Sequence, residues 1–366
     1  MQGNEHNNQH LTLLGKVFSF AEIKKEIPLR EDKYVQQILI FCHNWLNGQE
    51  EFKLYTSGST GTPKEIIILR AQMQYSAQLT AEALNLNKND SAFCCLNCDY
   101  IAGKMMLVRA MVIGMDIEVV KPSSQPITAT TKHFDFIALV PMQVQVILGS
   151  NHLSKLNKAK SIIIGGAVIS KHLETLIKKK ISPITYQTYG MTETVSHIAL
   201  REIGETNTYT TLRGIGIQTL SNQHLMIKSK LTLDKWITTN DIVDLISGNE
   251  FIWLGRSDFI INSGGVKIHP EQLESQLGNL GLINTRFFFS SIPDPQLGEA
   301  LVLYIEGEEQ DLSQYINQLA KYHQPKKVFF IPEFYETLTG KVDKKEVVKA
   351  INFKGEQKNS KKVFKG

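Results

Sequence analysis

The sequence predicts an α/β protein. It reads as a large N-terminal domain with mixed, partly parallel sheets and flanking helices, plus a small C-terminal α+β domain on a hinge. Three observations lead there. Short apolar strand-like runs alternate with helix-like stretches through the first two thirds of the chain. Near Trp253 this changes to a tighter succession of strands and helices with apolar runs of its own. The length of 366 residues is enough for two or three domains, at roughly 100–200 residues each.

The elements follow in chain order. Phe52 to Tyr55 alternates apolar and polar residues and reads as a strand; Glu65 to Leu69, with three consecutive isoleucines, reads as the next. Arg70 to Leu86 carries Ala, Gln, Met and Leu at helical spacing. Further strands are expected at Ile117 to Val120, Phe134 to Val140, Ile162 to Ile164 and Ile184 to Tyr189, with a helix at Ser170 to Lys180. Beyond Gly255-Arg256, Ser263-Gly264-Gly265 signals a hairpin. A helix (Pro270 to Gly278), two strands (Arg286 to Ser290 and Ala300 to Ile305) and a helix (Leu312 to Ala320) follow. The expected boundary is close to Asp258, giving domains 1–257 and 258–366.

Composition excludes several classes. Hydrophobic residues make up 42% and charged ones 21%, an ordinary globular balance that excludes a disordered or collagen-like chain. Forty basic against thirty-six acidic residues give a net charge of +4, too little to argue for a nucleic-acid groove. Part of that excess sits in the tail 354–366, which reads as a solvated, disordered terminus. Cys94, Cys95 and Cys98 are crowded together without a second ligand pair at zinc spacing, so reduced thiols are expected. The start, MQGNEHNNQH, lacks a secretory pattern, and the most apolar window, Met105 to Met115, is short and broken by Arg109. The expected location is the cytoplasm, with no membrane partner.

Two segments could do chemistry. Thr56-Ser57-Gly58-Ser59-Thr60-Gly61-Thr62-Pro63-Lys64 concentrates glycines, hydroxyls and a lysine, which suits wrapping N–H groups around phosphate oxygens. It is not a Walker A loop, because Lys64 follows a proline and a strand comes next. Tyr189-Gly190-Met191-Thr192-Glu193-Thr194 follows an apolar strand, where open α/β sheets place ligands. Its ring can cover a purine, its hydroxyls can hold oxygens, and its carboxylate can recruit Mg²⁺.

With Gly165-Gly166-Ala167, Asp241, Gly255-Arg256-Ser257-Asp258, Ser263-Gly264-Gly265 and Leu338-Thr339-Gly340-Lys341, these segments occur in the order seen in the adenylate-forming superfamily. That superfamily contains acyl- and aryl-CoA ligases, luciferases and peptide-synthetase adenylation domains. The resemblance spans nearly 290 residues. It implies two half-reactions: a carboxylate attacks the α-phosphorus of ATP, and a thiol then displaces AMP. It also implies ATP, Mg²⁺ and coenzyme A as the bound molecules. By the family pattern Thr56, Ser57, Gly58, Ser59, Thr60, Gly61 and Lys64 hold phosphates. Gly165, Gly166 and Ala167 with Tyr189 bracket adenine, Gly190 and Met191 also line the ATP site, and Asp241 with Arg256 takes the ribose. Thr192 touches the α-phosphate and Glu193 brings Mg²⁺. Lys341 stands between the two anionic reactants, Asp258 is the hinge, and Gly264 with Gly265 lies along the coenzyme A path.

The short Asp99-Tyr100-Ile101-Ala102-Gly103-Lys104 segment and Thr192 to Ala199 resemble the 2-succinylbenzoate:CoA ligases of menaquinone biosynthesis. The phosphate loop lies nearer the start than in the superfamily, so part of the usual large domain is expected to be absent. Asn240 stands where glycine commonly precedes the ribose aspartate. A substrate with two carboxylates needs a partner for the second one if it is buried; Lys104, Arg109 and His197 are the candidates. Alternatives are another aryl- or short-chain acyl-CoA ligase, a carrier-loading adenylation enzyme, or an ATP-binding pseudo-enzyme. A homodimer is compatible with everything above.

Overall fold

The computed structural model describes residues 9–56, 64–281, 285–336 and 342–351. Ser57, Gly58, Ser59, Thr60, Gly61 and Lys341 lie outside the described residues, as does the tail. Contacts divide the chain into one unit of residues 1–169 and 173–253 and another of 170–172 and 254–366.

The first unit is built on a thirteen-stranded mixed sheet. Its centre is parallel, running Ile184–Gly190, Ser161–Ile164, Phe136–Leu139, Ser91–Cys94, Asp116–Val119, His10–Leu13. The two middle strands are almost wholly apolar because both faces are covered: Phe136–Leu139 and Ser161–Ile164 are buried throughout, Ser161 being their one polar residue. Alternate residues feed two cores. Phe136, Ala138 and Ile163 enter one, while Ile137, Leu139, Ile162 and Ile164 enter the other. Beyond Ile184–Gly190 the pairing turns antiparallel, first with His197–Glu202 and then with Thr208–Thr211. Glu51–Thr56 and Lys64–Leu69 form a separate antiparallel pair in which Thr56 faces Lys64, so the Ser/Gly-rich segment joins two strands as the sequence predicts.

The helix expected over Arg70 to Leu86 is Arg70–Leu84; it stops earlier because Asn85 turns left-handed at φ 51°. The strand expected over Phe134 to Val140 is the shorter Phe136–Leu139.

The second unit pairs Val266–Ile268, Ile261–Ser263, Gly298–Glu306 and Phe287–Asp294 in order, with Lys327–Ile331 parallel to Gly298–Glu306. The Gly298–Glu306 strand is buried on both faces. Leu301, Leu303 and Ile305 pack with Leu273 and Leu277 of the helix Pro270–Asn279, while Val302 and Tyr304 pack on the other side with Phe288, Phe334 and Val347. The helix expected over Leu312 to Ala320 is a single turn, Ser313–Ile316. Its apolar residues still dock, Leu312 and Leu319 both being buried. Here tertiary burial rather than helix length satisfies the apolar spacing.

Candidate active site

Because the central strands are parallel, their C-terminal ends lie along one edge of the sheet, and the segments leaving them gather there. Ser161–Ile164 leads into Gly165, Gly166 and Ala167, and Gly165 N donates to Leu139 O at 3.1 Å. Ile184–Gly190 leads through Met191 into the turn Thr192–Thr194. Ser91–Cys94 leads into the segment that opens the helix Ile101–Ile113.

The Thr192–Thr194 turn is tightly specified. Thr194 Oγ1 accepts from Met191 N and lies 2.9 Å from Ser196 O, and Val195 is held at φ 66° although it is β-branched and fully buried. That kink leaves Glu193 exposed and sends Ser196 and His197 inward. Gly190 makes it feasible: a Cβ there would stand 2.3 Å from Ser196 O and 2.5 Å from His197 Cα. Both obstacles are backbone, so Gly190→Ala should destabilise the protein by about 2 kcal/mol or more. A thermal melt unchanged from wild type would show that the turn relaxes at no cost.

Arg109 and His197 meet behind this turn; Lys104 does not join them. Arg109 Nη2 donates to Ser196 Oγ at 2.7 Å and Nε to Thr80 Oγ1 at 3.1 Å, while His197 Nε2 sits 3.2 Å from the same Thr80 oxygen. The guanidinium is almost completely buried, and its hydrogen-bond partners among the described residues are hydroxyls and the Met106 sulfur, not a carboxylate. Burial brings its pKa down to about 10, so it stays cationic near neutrality. Burial first, and the Arg109 charge second, push His197 well below the usual imidazole range. His197 is therefore a neutral hydrogen-bonding ring here and not a cation. Lys104 lies five residues from Arg109, about 140° around the helix. Its Nζ donates to Cys98 O at 2.9 Å and Asp99 O at 2.8 Å, facing the Phe41 ring. Thr80 carries no sequence signal marking it as a site residue; only the packing of Arg70–Leu84 against Ile101–Ile113 reveals it.

Asp241 lies buried in the strand Ile237–Ser247. Tyr189 Oη donates to its Oδ2 at 2.7 Å and Trp253 Nε1 to its Oδ1 at 2.9 Å. The Tyr189 ring stands edge-on to Phe251 and Tyr209, at 5.1 Å and 5.9 Å between centroids. A half-buried aromatic face beside a fixed carboxylate fits a nucleoside. Among the described residues no group of three or more metal ligands is assembled. One exposed carboxylate, Glu193, suits a Mg²⁺ that arrives on ATP phosphates and keeps most of its other ligands there and in water.

In the second unit Arg256 grips Asp258 with two parallel bonds of 2.9 Å. Gly264 and Gly265 both have positive φ, 57° and 82°, in the two-residue turn between Ile261–Ser263 and Val266–Ile268. Turn geometry alone accounts for both glycines. Close by in the chain, Gly255 has φ 146° and a Cβ there would meet Glu271 Oε2 at 2.8 Å. Burial, then the Glu274 charge, raise the Glu271 carboxyl to about 7. The folded state binds this proton more tightly than the unfolded chain does. The stabilisation is therefore complete below the ordinary carboxylate range and is lost as pH rises through about 7. Glu271→Gln should remove that loss, worth up to about 3 kcal/mol. Melting curves from ~pH 5 to ~pH 8 that fall as steeply in the variant as in wild type would refute this.

Fold and motif positions together define an adenylate-forming enzyme. The family model described as AMP-binding enzyme matches residues 51–235, and the chain belongs to that family. The chain is 36% identical to the acyl-CoA synthetase (AMP-forming)/AMP-acid ligase II-like protein of Dyadobacter fermentans, over 91% of this chain and 98% of that one, with a TM-score of 0.62. It is 27% identical to a protein named 2-succinylbenzoate--CoA ligase from Listeria monocytogenes, covering 80% of this chain and 68% of that one. O-succinylbenzoate coenzyme A synthetase of Bacillus subtilis, solved with ATP and magnesium ion, shares the fold at a TM-score of 0.70 and 21% identity, over 81% of this chain and 69% of that one. No helix among the described residues is long and apolar enough to cross a membrane.

Proposed function

We propose that this chain is an AMP-forming acid–CoA ligase whose acid is 2-succinylbenzoate or a close aromatic dicarboxylate. The observation that carries the substrate reading is Arg109, a buried guanidinium that among the described residues hydrogen-bonds to neutral groups alone. A buried cation without an anion costs free energy, and a carboxylate brought by the substrate removes that cost. Ser196, Thr80 and the neutral His197 hold the guanidinium for it. The similarity to proteins named 2-succinylbenzoate--CoA ligase supports the same reading.

The chemistry divides in two. A carboxylate oxygen of the acid attacks the α-phosphorus, the bond to the bridging oxygen breaks, and pyrophosphate leaves. The coenzyme A sulfur then attacks the acyl carbon and AMP leaves with the C–O bonding pair. In this reading the 56–64 loop holds the β- and γ-phosphates, Gly165 to Ala167 and Tyr189 bracket adenine, and Asp241 and Arg256 serve the ribose. Thr192 meets the α-phosphate. Mg²⁺, when bound with ATP at Glu193, neutralises phosphate charge. Lys341 neutralises the approach of two anions, Gly264 and Gly265 border the coenzyme A path, and Asp258 is the hinge between domains 1–257 and 258–366.

Purified protein given ATP, Mg²⁺, coenzyme A and 2-succinylbenzoate should release AMP and pyrophosphate and form the thioester. Faster turnover with benzoate or a fatty acid would overturn the substrate, and product formed on a carrier protein but not on free coenzyme A would overturn the acceptor.

A further inference from the structure

Asp241 is gripped from both sides by aromatic side chains, and one of them is already spoken for. Tyr189 Oη, on the ring assigned to adenine, donates to Oδ2 at 2.7 Å; the indole of Trp253 donates to Oδ1 at 2.9 Å from the neighbouring strand Glu250–Arg256. A carboxylate offers about four lone-pair sites, so two donors leave two for outside partners while fixing the plane of the group. Asp241 N also donates to Thr239 Oγ1 at 3.0 Å, which ties the backbone at the same point. A carboxylate so held has lost its rotation about χ2 before any ligand arrives, and a contact to a pair of vicinal hydroxyls depends on that plane.

We propose that Trp253 is a positioning residue for ribose: its indole N–H and the Tyr189 hydroxyl hold the Asp241 carboxylate in the one plane that accepts from both vicinal hydroxyls of the nucleotide. This rests on the reading that Asp241 meets the ribose. Trp253 thereby sets discrimination between ribonucleotide and deoxyribonucleotide without touching the sugar. Loss of its N–H frees the carboxylate to rotate, weakening the ribose contact and leaving the phosphorus chemistry alone.

The test compares ATP with 2′,3′-dideoxy-ATP by calorimetric binding and by acid-dependent pyrophosphate exchange. Trp253→Phe should raise the KM and Kd for ATP about 5–10-fold, the net worth of one typical hydrogen bond, with kcat within about twofold. The preference for ATP over the dideoxy nucleotide should shrink by the same factor, and Trp253→His, which keeps a ring N–H, should restore part of it. Asp241→Asn is the control for the underlying reading. If it lowers the preference while Trp253→Phe does not, the positioning role is overturned and the ribose role of Asp241 stands. If Asp241→Asn leaves the preference intact, or wild type binds no ATP, both fall. Should Trp253→Phe fail to fold, the wild type decides: of the three tryptophan indole N–H signals, that of Trp253 should shift with ATP and much less with the dideoxy nucleotide. Equal shifts with both would overturn the proposal.

Discussion

Arg109→Met should lower kcat/KM for the dicarboxylate by about 100–1,000-fold, the ~3–4 kcal/mol expected when one side of a buried charge pair is removed, and leave the KM for ATP near wild type. The same substitution should raise the melting temperature of the free protein. Among the described residues the buried guanidinium hydrogen-bonds to Thr80, Ser196 and the Met106 sulfur and to no carboxylate, so replacing it with an apolar chain of similar length removes an uncompensated charge. Activity and stability thus move in opposite directions, which distinguishes a charge kept for the substrate from one kept for the fold. Arg109→Lys keeps the charge but loses the two-pronged geometry and should fall between the two. A methionine variant with full turnover of 2-succinylbenzoate would remove the dicarboxylate reading. One that is inactive and also less stable would make Arg109 a structural cation.

Lys341→Ala should leave ATP binding within a fewfold of wild type and cut pyrophosphate exchange by about 1,000-fold, the order seen when a donor used only in the transition state is lost. The reason is elementary. The acid carboxylate and the triphosphate repel each other, and an ammonium between them neutralises both as the new bond forms. Thioester formation from acyl-adenylate supplied ready-made should be much less affected, because no second anion approaches in that step. Loss of both half-reactions to the same degree would instead assign Lys341 to structure or to nucleotide binding.

The pH behaviour of His197 and Glu271, both buried, separates the site from the second unit. His197 is neutral because it is buried beside Arg109, so acidification must force a second charge into that pocket. Glu271 moves the other way, losing stability as pH rises through about 7.

Much of the fold was legible because its signals are local. Ile162 to Ile164 announces a doubly buried strand by having no polar residue, and it is one. The Gly264-Gly265 turn follows from two residues able to take positive φ. The helix at Leu312 was misjudged in length, because the same apolar spacing is met by one turn plus docking of Leu319. In the site, Lys104 and Arg109 are equivalent candidates by charge, and only helix phase and packing separate them.

The order of the motifs, the α/β class and the adenylate-forming chemistry were determined by the sequence alone, since a short motif or a strand covered on both faces is specified within about ten residues. Only the tertiary structure decided which charges meet. Arg109 and Ser196 are 87 residues apart, Tyr189 and Asp241 are 52, and Trp253 and Asp241 are 12. Strand order and helix phase bring such pairs together, and neither is written in any single segment of the chain.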